Sequence, residues 1–206
     1  TNASAAHLGS AVATDWYKLQ VNMMLHANPA TNGALNAEAF GYIGIALYES
    51  VRSGIKNSIS LSQSLYQMPE MPQKDNNGYD LEVSANAALA AMVRNMYPWL
   101  TTANKASVDS LEKAWNEKVG VSTESEKFRR SQDFGRAIAA AVFAWSKTDN
   151  YNVSNTGYVL PTGFGIYIPT PPAFGNPILP FISLSRPLIQ ADGTGVSPAP
   201  PFAYSE

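Results

Sequence analysis

Leu35-Asn36-Ala37-Glu38-Ala39-Phe40-Gly41-Tyr42-Ile43-Gly44-Ile45-Ala46-Leu47-Tyr48-Glu49-Ser50-Val51 is the stretch on which the fold turns. Leu35, Ala39, Ile43, Ala46, Leu47 and Val51 recur at three- and four-residue spacing, which places them on one face of a helix. Two glycines, Gly41 and Gly44, interrupt this apolar run, and each costs about 1 kcal/mol relative to alanine inside a helix. Close backbone packing against another element is the expected compensation, so this helix is expected to be central and buried.

The same periodicity appears on both sides of this stretch. Val12, Trp16, Leu19 and Met23 mark an earlier helix that Asn28-Pro29 stops. Downstream, Asp80 can cap a third helix with the stripe Ala85, Leu89, Met92 and Met96, ended by Pro98. Val108, Leu111, Trp115 and Val119 form a fourth, with Gly120 at the place where a left-handed residue closes a helix. Thr123 with Glu126 reads as a capping box for a fifth, along which Phe128, Phe134, Ile138, Val142 and Trp145 follow one side. Residues 60–67 allow a further short helix, and residues 68–78 read as a loop. Five such stripes joined by short connections predict an all-α helical bundle over residues 1–148.

A composition break ends the bundle. Ten of the fourteen prolines fall in residues 151–206, where only Arg186, Asp192 and Glu206 are charged. Proline removes backbone donors, and this density excludes a helix or a central strand. Residues 149–206 are therefore expected to form an extended arm, rich in proline and aromatics. Its Tyr158, Phe164, Tyr167, Phe174 and Phe181 predict that the arm wraps over the helices or over a partner domain and buries them there.

Composition also narrows the chemistry. A formal net charge of −2, with lysine and arginine scattered, leaves no footprint for nucleic acid or an anionic membrane. No apolar run approaches the eighteen residues that a membrane span needs. The chain has no cysteine, which removes disulfides, thiolate metal sites and cysteine nucleophiles together. Residues 1–10 are small and polar, as at a terminus exposed by removal of a signal peptide or at a cloning boundary.

Reactive side chains are few. His7 and His26 are the two histidines; His26 falls in the last turn of the first helix, where a cationic side chain suits the helix dipole. No His-x-x-x-His, His-Glu-x-x-His or calcium-loop spacing occurs, and no Gly-x-Ser-x-Gly elbow. Glu38 and Glu49 share the glycine-containing helix about 16 Å apart, too far for a glycosidase pair. Glu49 stands beside the apolar stripe, where burial would suit either an acid–base role or a hydrogen bond to a neighbouring helix, the second being the expectation. Gly163-Phe164-Gly165 follows no strand and opens no helix, so it reads as a turn rather than a dinucleotide site. Asn2-Ala3-Ser4 and Asn152-Val153-Ser154 are formal glycosylation sequons that decide nothing.

Two stretches carry a resemblance. Val12-Ala13-Thr14-Asp15-Trp16-Tyr17 followed by residues 39–51, and Ile168-Pro169-Thr170-Pro171-Pro172-Ala173-Phe174 leading to Leu179-Pro180 and Arg186-Pro187, resemble the amino-terminal half of bacterial vanadium-dependent haloperoxidase-like proteins. That family shares a superfamily with the type 2 phosphatidic acid phosphatases. The resemblance implies a periplasmic or secreted protein in which vanadate or phosphate is held by a lysine before Arg-Pro, a Ser-Gly-His segment and a late arginine with a histidine, all in a carboxy-terminal half. None of these motifs can be placed here. Leu179 stands where the lysine is expected before Arg186-Pro187, Ser53-Gly54 is followed by Ile55, and no histidine follows His26. No catalytic, cofactor-binding or metal-binding residue is carried over, and Pro198-Ala199-Pro200-Pro201-Phe202-Ala203-Tyr204-Ser205-Glu206 looks like the approach to the catalytic half.

The leading expectation is therefore a structural half without catalytic residues, whose partner is the carboxy-terminal catalytic half and for which a homo-oligomer is compatible. The alternative is a free-standing helical interaction domain that binds a protein or glycan through its aromatic arm. A small hydrolase using Glu49 or His26 ranks third.

Overall fold

A computed structural model of the protein describes residues 10–27, 33–151 and 153–189. The chain is all-α: among the described residues five α-helices and three single 3₁₀ turns occur, and no strand. The helices are α1 (Ala11–Leu25), α2 (Gly33–Val51), α3 (Leu81–Met96), α4 (Thr102–Gly120) and α5 (Ser125–Ser146).

The apolar stripes face a common core. Val12, Trp16 and Met23 of α1, Ala39, Ile43 and Ala46 of α2, and Ile138, Val142 and Trp145 of α5 are buried, with Val108, Trp115 and Val119 of α4. The side chain of Leu35 and the Asn28-Pro29 stop lie outside the described residues. The central helix is α3 rather than α2. It packs against each of the other four helices, most extensively α5. Its small residues explain why: Ala85, Ala87, Ala88 and Ala90 are buried together with Val83, Leu89, Met92 and Val93, so no face of its middle is left to solvent.

The close backbone approach expected at Gly41 and Gly44 lies elsewhere. A Cβ at Gly41 would meet nothing within 4 Å, and one at Gly44 would come 3.3 Å from the Tyr17 hydroxyl, a side-chain atom. At Gly135 of α5 a Cβ would overlap the Ser84 carbonyl oxygen and sit 3.1 Å from Ala87 Cβ. Gly135 thus lets α5 lie directly on the α3 backbone, and its burial among alanines offsets its helix penalty.

Helix ends follow the sequence in one case and depart from it in two. Asp80 caps α3 as expected, its Oδ1 accepting from the Glu82 and Val83 amides at 3.0 and 3.2 Å. Thr123 does not form the capping box. Its hydroxyl lies 2.9 Å from Asp80 Oδ2 and 3.0 Å from the Val119 carbonyl, while α5 starts at Ser125 and Glu126 pairs with Arg129. The tertiary bond to the Asp80 cap replaces the local one. Gly120 is the last residue of α4 and is followed by Val121 in a right-handed conformation, so no left-handed closure occurs there.

Buried polar bonds also cross the core, most of them at Asn86. Trp16 Nε1 donates to Asn86 Oδ1 at 2.8 Å, and Asn86 Nδ2 donates to the Glu112 carbonyl and Asn116 Oδ1 at 3.0 Å each. Asn86, fully buried, therefore joins α1, α3 and α4, and its partners supply the bonds that burial otherwise denies it.

Residues 60–67 hold a single 3₁₀ turn at Leu61–Gln63, and the one 3₁₀ turn among residues 153–189 is Ile182–Leu184. Of the five arm aromatics, expected to be buried on the helices or on a partner domain, three stand clear of the helices. Phe164, Tyr167 and Phe174 are exposed, and Tyr158 and Phe181 pack edge-on against each other at 5.8 Å. Backbone bonds tie the arm to the rest of the fold near its far end, where Arg186 N donates to the Asp149 carbonyl at 2.7 Å and Tyr66 N to the Leu188 carbonyl at 2.8 Å.

Candidate functional site

The arm meets the bundle at a group of polar side chains contributed by three segments. Glu38 and Tyr42 stand one turn apart on α2 and so share a face. Asp149 follows the end of α5 and is buried at 5% exposure, which obliges its oxygens to find donors. Oδ2 accepts from the Tyr42 hydroxyl at 2.5 Å, and Oδ1 from the Tyr151 amide at 2.9 Å.

Arg186 arrives from the arm. Its guanidinium lies over the Trp145 ring, 4.4 Å from the centroid, and Nη2 donates to the Trp145 carbonyl at 3.0 Å and to the Tyr42 hydroxyl at 3.3 Å. Trp145 in turn meets Tyr42 edge-on at 5.3 Å. A cavity of about 250 Å³ opens beside these groups, lined by Glu38, Gly41, Tyr42, Asp149, Tyr151 and Arg186 among others. The buried Nε of Arg186 and Nε1 of Trp145 have no partner among the described residues.

Electrostatics follow from this burial. Desolvation, then the Asp149 charge, push the Glu38 carboxyl up to about 7; Lys147 pulls against this, and a hydrogen bond to Asp149 adds to it. Burial and the bond to Asp149 hold the Tyr42 phenol far above its ordinary range. Glu38 is thus a carboxyl that exchanges its proton near neutrality, beside a carboxylate already engaged by Tyr42. The donors of Arg186 are directed to Tyr42 and Trp145, so the site lacks the converging cationic groups that an oxyanion pocket needs. Among the described residues no group of three or more His, Asp or Glu side chains could hold a metal ion.

The residues singled out from the sequence are spread over the molecule. His26 caps the exposed end of α1, Nδ1 donating to the Asn22 carbonyl at 2.8 Å; His7 and both sequon asparagines lie outside the described residues. Glu49 is buried and takes three bonds, from Ser60 Oγ at 3.0 Å, the Leu61 amide at 2.6 Å and Arg52 Nε at 2.8 Å. These occupy both oxygens and tie the segment after α2 to that helix; Glu49 is buried and bonded as expected, but its partners belong to that segment rather than to a neighbouring helix. Ser53-Gly54 forms part of the turn Arg52–Gly54, with Lys74 Nζ donating to Ser53 Oγ at 2.6 Å. Gly163 and Gly165 both have positive φ, 147° and 75°, in a turn that leaves Phe164 wholly exposed.

Sequence reasoning missed the Glu38–Asp149 pair. The two residues are 111 positions apart and carry no local pattern; the one usable signal was the isolated charge of Arg186 in a segment almost without charge. No protein-family model, curated protein or solved structure matches this chain.

Proposed function

We propose that this chain is the amino-terminal, non-catalytic helical half of a vanadium haloperoxidase-like or acid-phosphatase-like protein, and that its arm is the surface that receives the catalytic half. The observation that carries this reading is the arm's exposure. Phe164, Ile168, Phe174 and Ile178 are 102, 74, 62 and 70% exposed, in a segment whose one described charge, Arg186, is turned toward the bundle. Apolar side chains offered in such a run mark a surface for another protein. The resemblance of residues 12–17, 39–51 and 168–187 favours a haloperoxidase-like partner over an unrelated protein or glycan. Vanadate or phosphate would then be held by the partner half, with a periplasmic or secreted location. Whether the complete protein oxidises halide or cleaves phosphate esters is a property of that half.

The test is calorimetric titration of the purified chain with vanadate, paired with titration by a polypeptide carrying the lysine–Arg-Pro, Ser-Gly-His and arginine–histidine motifs. The expected result is heat from the polypeptide, lost when Phe164 and Phe174 are replaced by serine, and none from vanadate alone. Saturable vanadate binding by the isolated chain would overturn the proposal.

A further inference from the structure

We propose that Ser53 and Lys74 act as nucleophile and base in the hydrolysis of esters of short aliphatic acids, the acyl chain lying in the apolar groove beside their turn. This activity goes beyond the structural role argued above and does not rest on the haloperoxidase reading.

Two segments bring the pair together. Ser53 is the middle residue of the exposed turn Arg52–Gly54 that follows α2. Lys74 comes from the loop before α3, and its Nζ lies 2.6 Å from Ser53 Oγ, the one hydrogen bond of that hydroxyl among the described residues. Two rings hold the amine in place. Nζ stands 5.0 Å from the centroids of both Tyr79 and Phe134, which meet edge-on at 5.5 Å. A serine hydroxyl is a weak nucleophile until a base stands within hydrogen-bond reach, and lysine serves when its amine can lose a proton.

The surroundings of Lys74 favour that loss. Among the described residues no carboxylate lies within ion-pair distance of its half-buried amine. Burial, and then the Arg52 charge, lower the amine to about 8, while Asp80 pulls the other way. Glu49 is engaged by Arg52, and Asp75, beside Arg130, accepts from the Tyr79 hydroxyl at 3.0 Å. The rings attract an ammonium but take no proton themselves. Once Lys74 is neutral the contact reverses, and Ser53 Oγ–H donates to its lone pair.

The substrate class follows from the groove. Val51 and Ile55, on either side of Ser53, line a cavity of about 280 Å³ with Val12, Leu47 and Ala85, and its lining is apolar apart from Ser10 and Glu82. A short alkyl chain suits that lining. In the reaction Ser53 Oγ bonds to the acyl carbon as its proton passes to Lys74 Nζ, and the alcohol leaves with that proton. Water then attacks the acyl-serine, gives its proton to Lys74, and the acid departs as Ser53 Oγ takes the proton back. General-base assistance of this kind contributes about 10²–10⁴-fold, so a slow esterase is expected.

The test is release of p-nitrophenol from p-nitrophenyl butyrate by the whole chain, with mass spectrometry of the acylated protein. Release above background should rise with pH through about 8, as a base that must first lose its proton requires. The acyl group should be found on Ser53. Activity should fall about tenfold or more in Ser53→Ala, in Lys74→Met and also in Lys74→Arg, which keeps the charge but cannot act as a base near neutrality. Ile55→Ser should lower the rate on butyrate relative to acetate. Absence of release, a rate that survives in Ser53→Ala or Lys74→Arg, or acylation of Lys74 in place of Ser53 overturns the proposal; a butyrate preference unmoved in Ile55→Ser overturns the groove assignment. Should the Lys74 variants fail to fold, the exposed Ser53→Ala change and the site of acylation decide the matter.

Discussion

Helix α3 and the arm are both rich in apolar residues, yet among the described residues the first is largely buried and the second largely exposed. Ten of the sixteen residues of α3 are buried, including Ser84 and Asn86. In residues 153–189 side chains as large as Phe164, Ile168 and Phe174 stand in solvent. Apolar content alone does not decide the matter. Helix α3 satisfies its backbone internally, so its small residues can let four neighbours approach; the arm, with its prolines, has no ladder to offer and stays on the outside. What distinguishes the two is where the backbone's hydrogen bonds go.

The sharpest way to break this contrast is at Gly135. Gly135→Val puts two methyl groups where even a Cβ overlaps the Ser84 carbonyl, a backbone atom that cannot swing aside. We expect destabilisation above about 4 kcal/mol, seen as loss of the cooperative urea transition, because overpacking in a core is among the few mechanisms that reach this size. A variant that unfolds like the wild type would show that α3 and α5 can part without cost.

Arg186→Ala tests the join between the two regions. It removes the stacking on Trp145 and the bonds to Tyr42 and the Trp145 carbonyl. Arm docking should weaken by about 1–2 kcal/mol, read as faster exchange of the Tyr66 amide, with the helical melting transition unmoved. A lowered melting temperature would make the arm part of the core's cooperative unit.

The smallest effect is expected farthest out. Phe164→Ser should change bundle stability by less than about 0.5 kcal/mol in urea, since the ring touches too little to be missed. A larger loss would mean that the arm's aromatics support the helices after all.

Much of the bundle was legible because it depends on short-range periodicity. Val12, Trp16 and Met23, or Ile138, Val142 and Trp145, fall inward wherever a helix exists to carry them. Asp80 was legible because capping is local, whereas Thr123 had a local partner in Glu126 and a better one across the fold in Asp80. The glycine reading failed for a related reason. Gly41 and Gly44 looked significant beside apolar neighbours, but only the crossing of α3 and α5 makes Gly135 indispensable, and nothing near Gly135 in the chain announces that crossing. The candidate site was the least legible part. Glu38, Asp149 and Arg186 meet through chain closure over more than a hundred positions, and each alone looks like an ordinary surface charge.

Asp149 also fixes how tension travels. Its carbonyl takes the Arg186 amide and its carboxylate takes the Tyr42 hydroxyl, so the chain between residues 150 and 185 is a loop pinched shut at its base. A pull arriving from residue 189 meets the bond between Leu188 and Tyr66 first, then Arg186, and passes through Asp149 to the end of α5 and the middle of α2 without straightening the loop. Residues 153–185 thereby stand off the line along which that load travels, and a partner that grips them pulls on the helices only through Asp149 and Arg186.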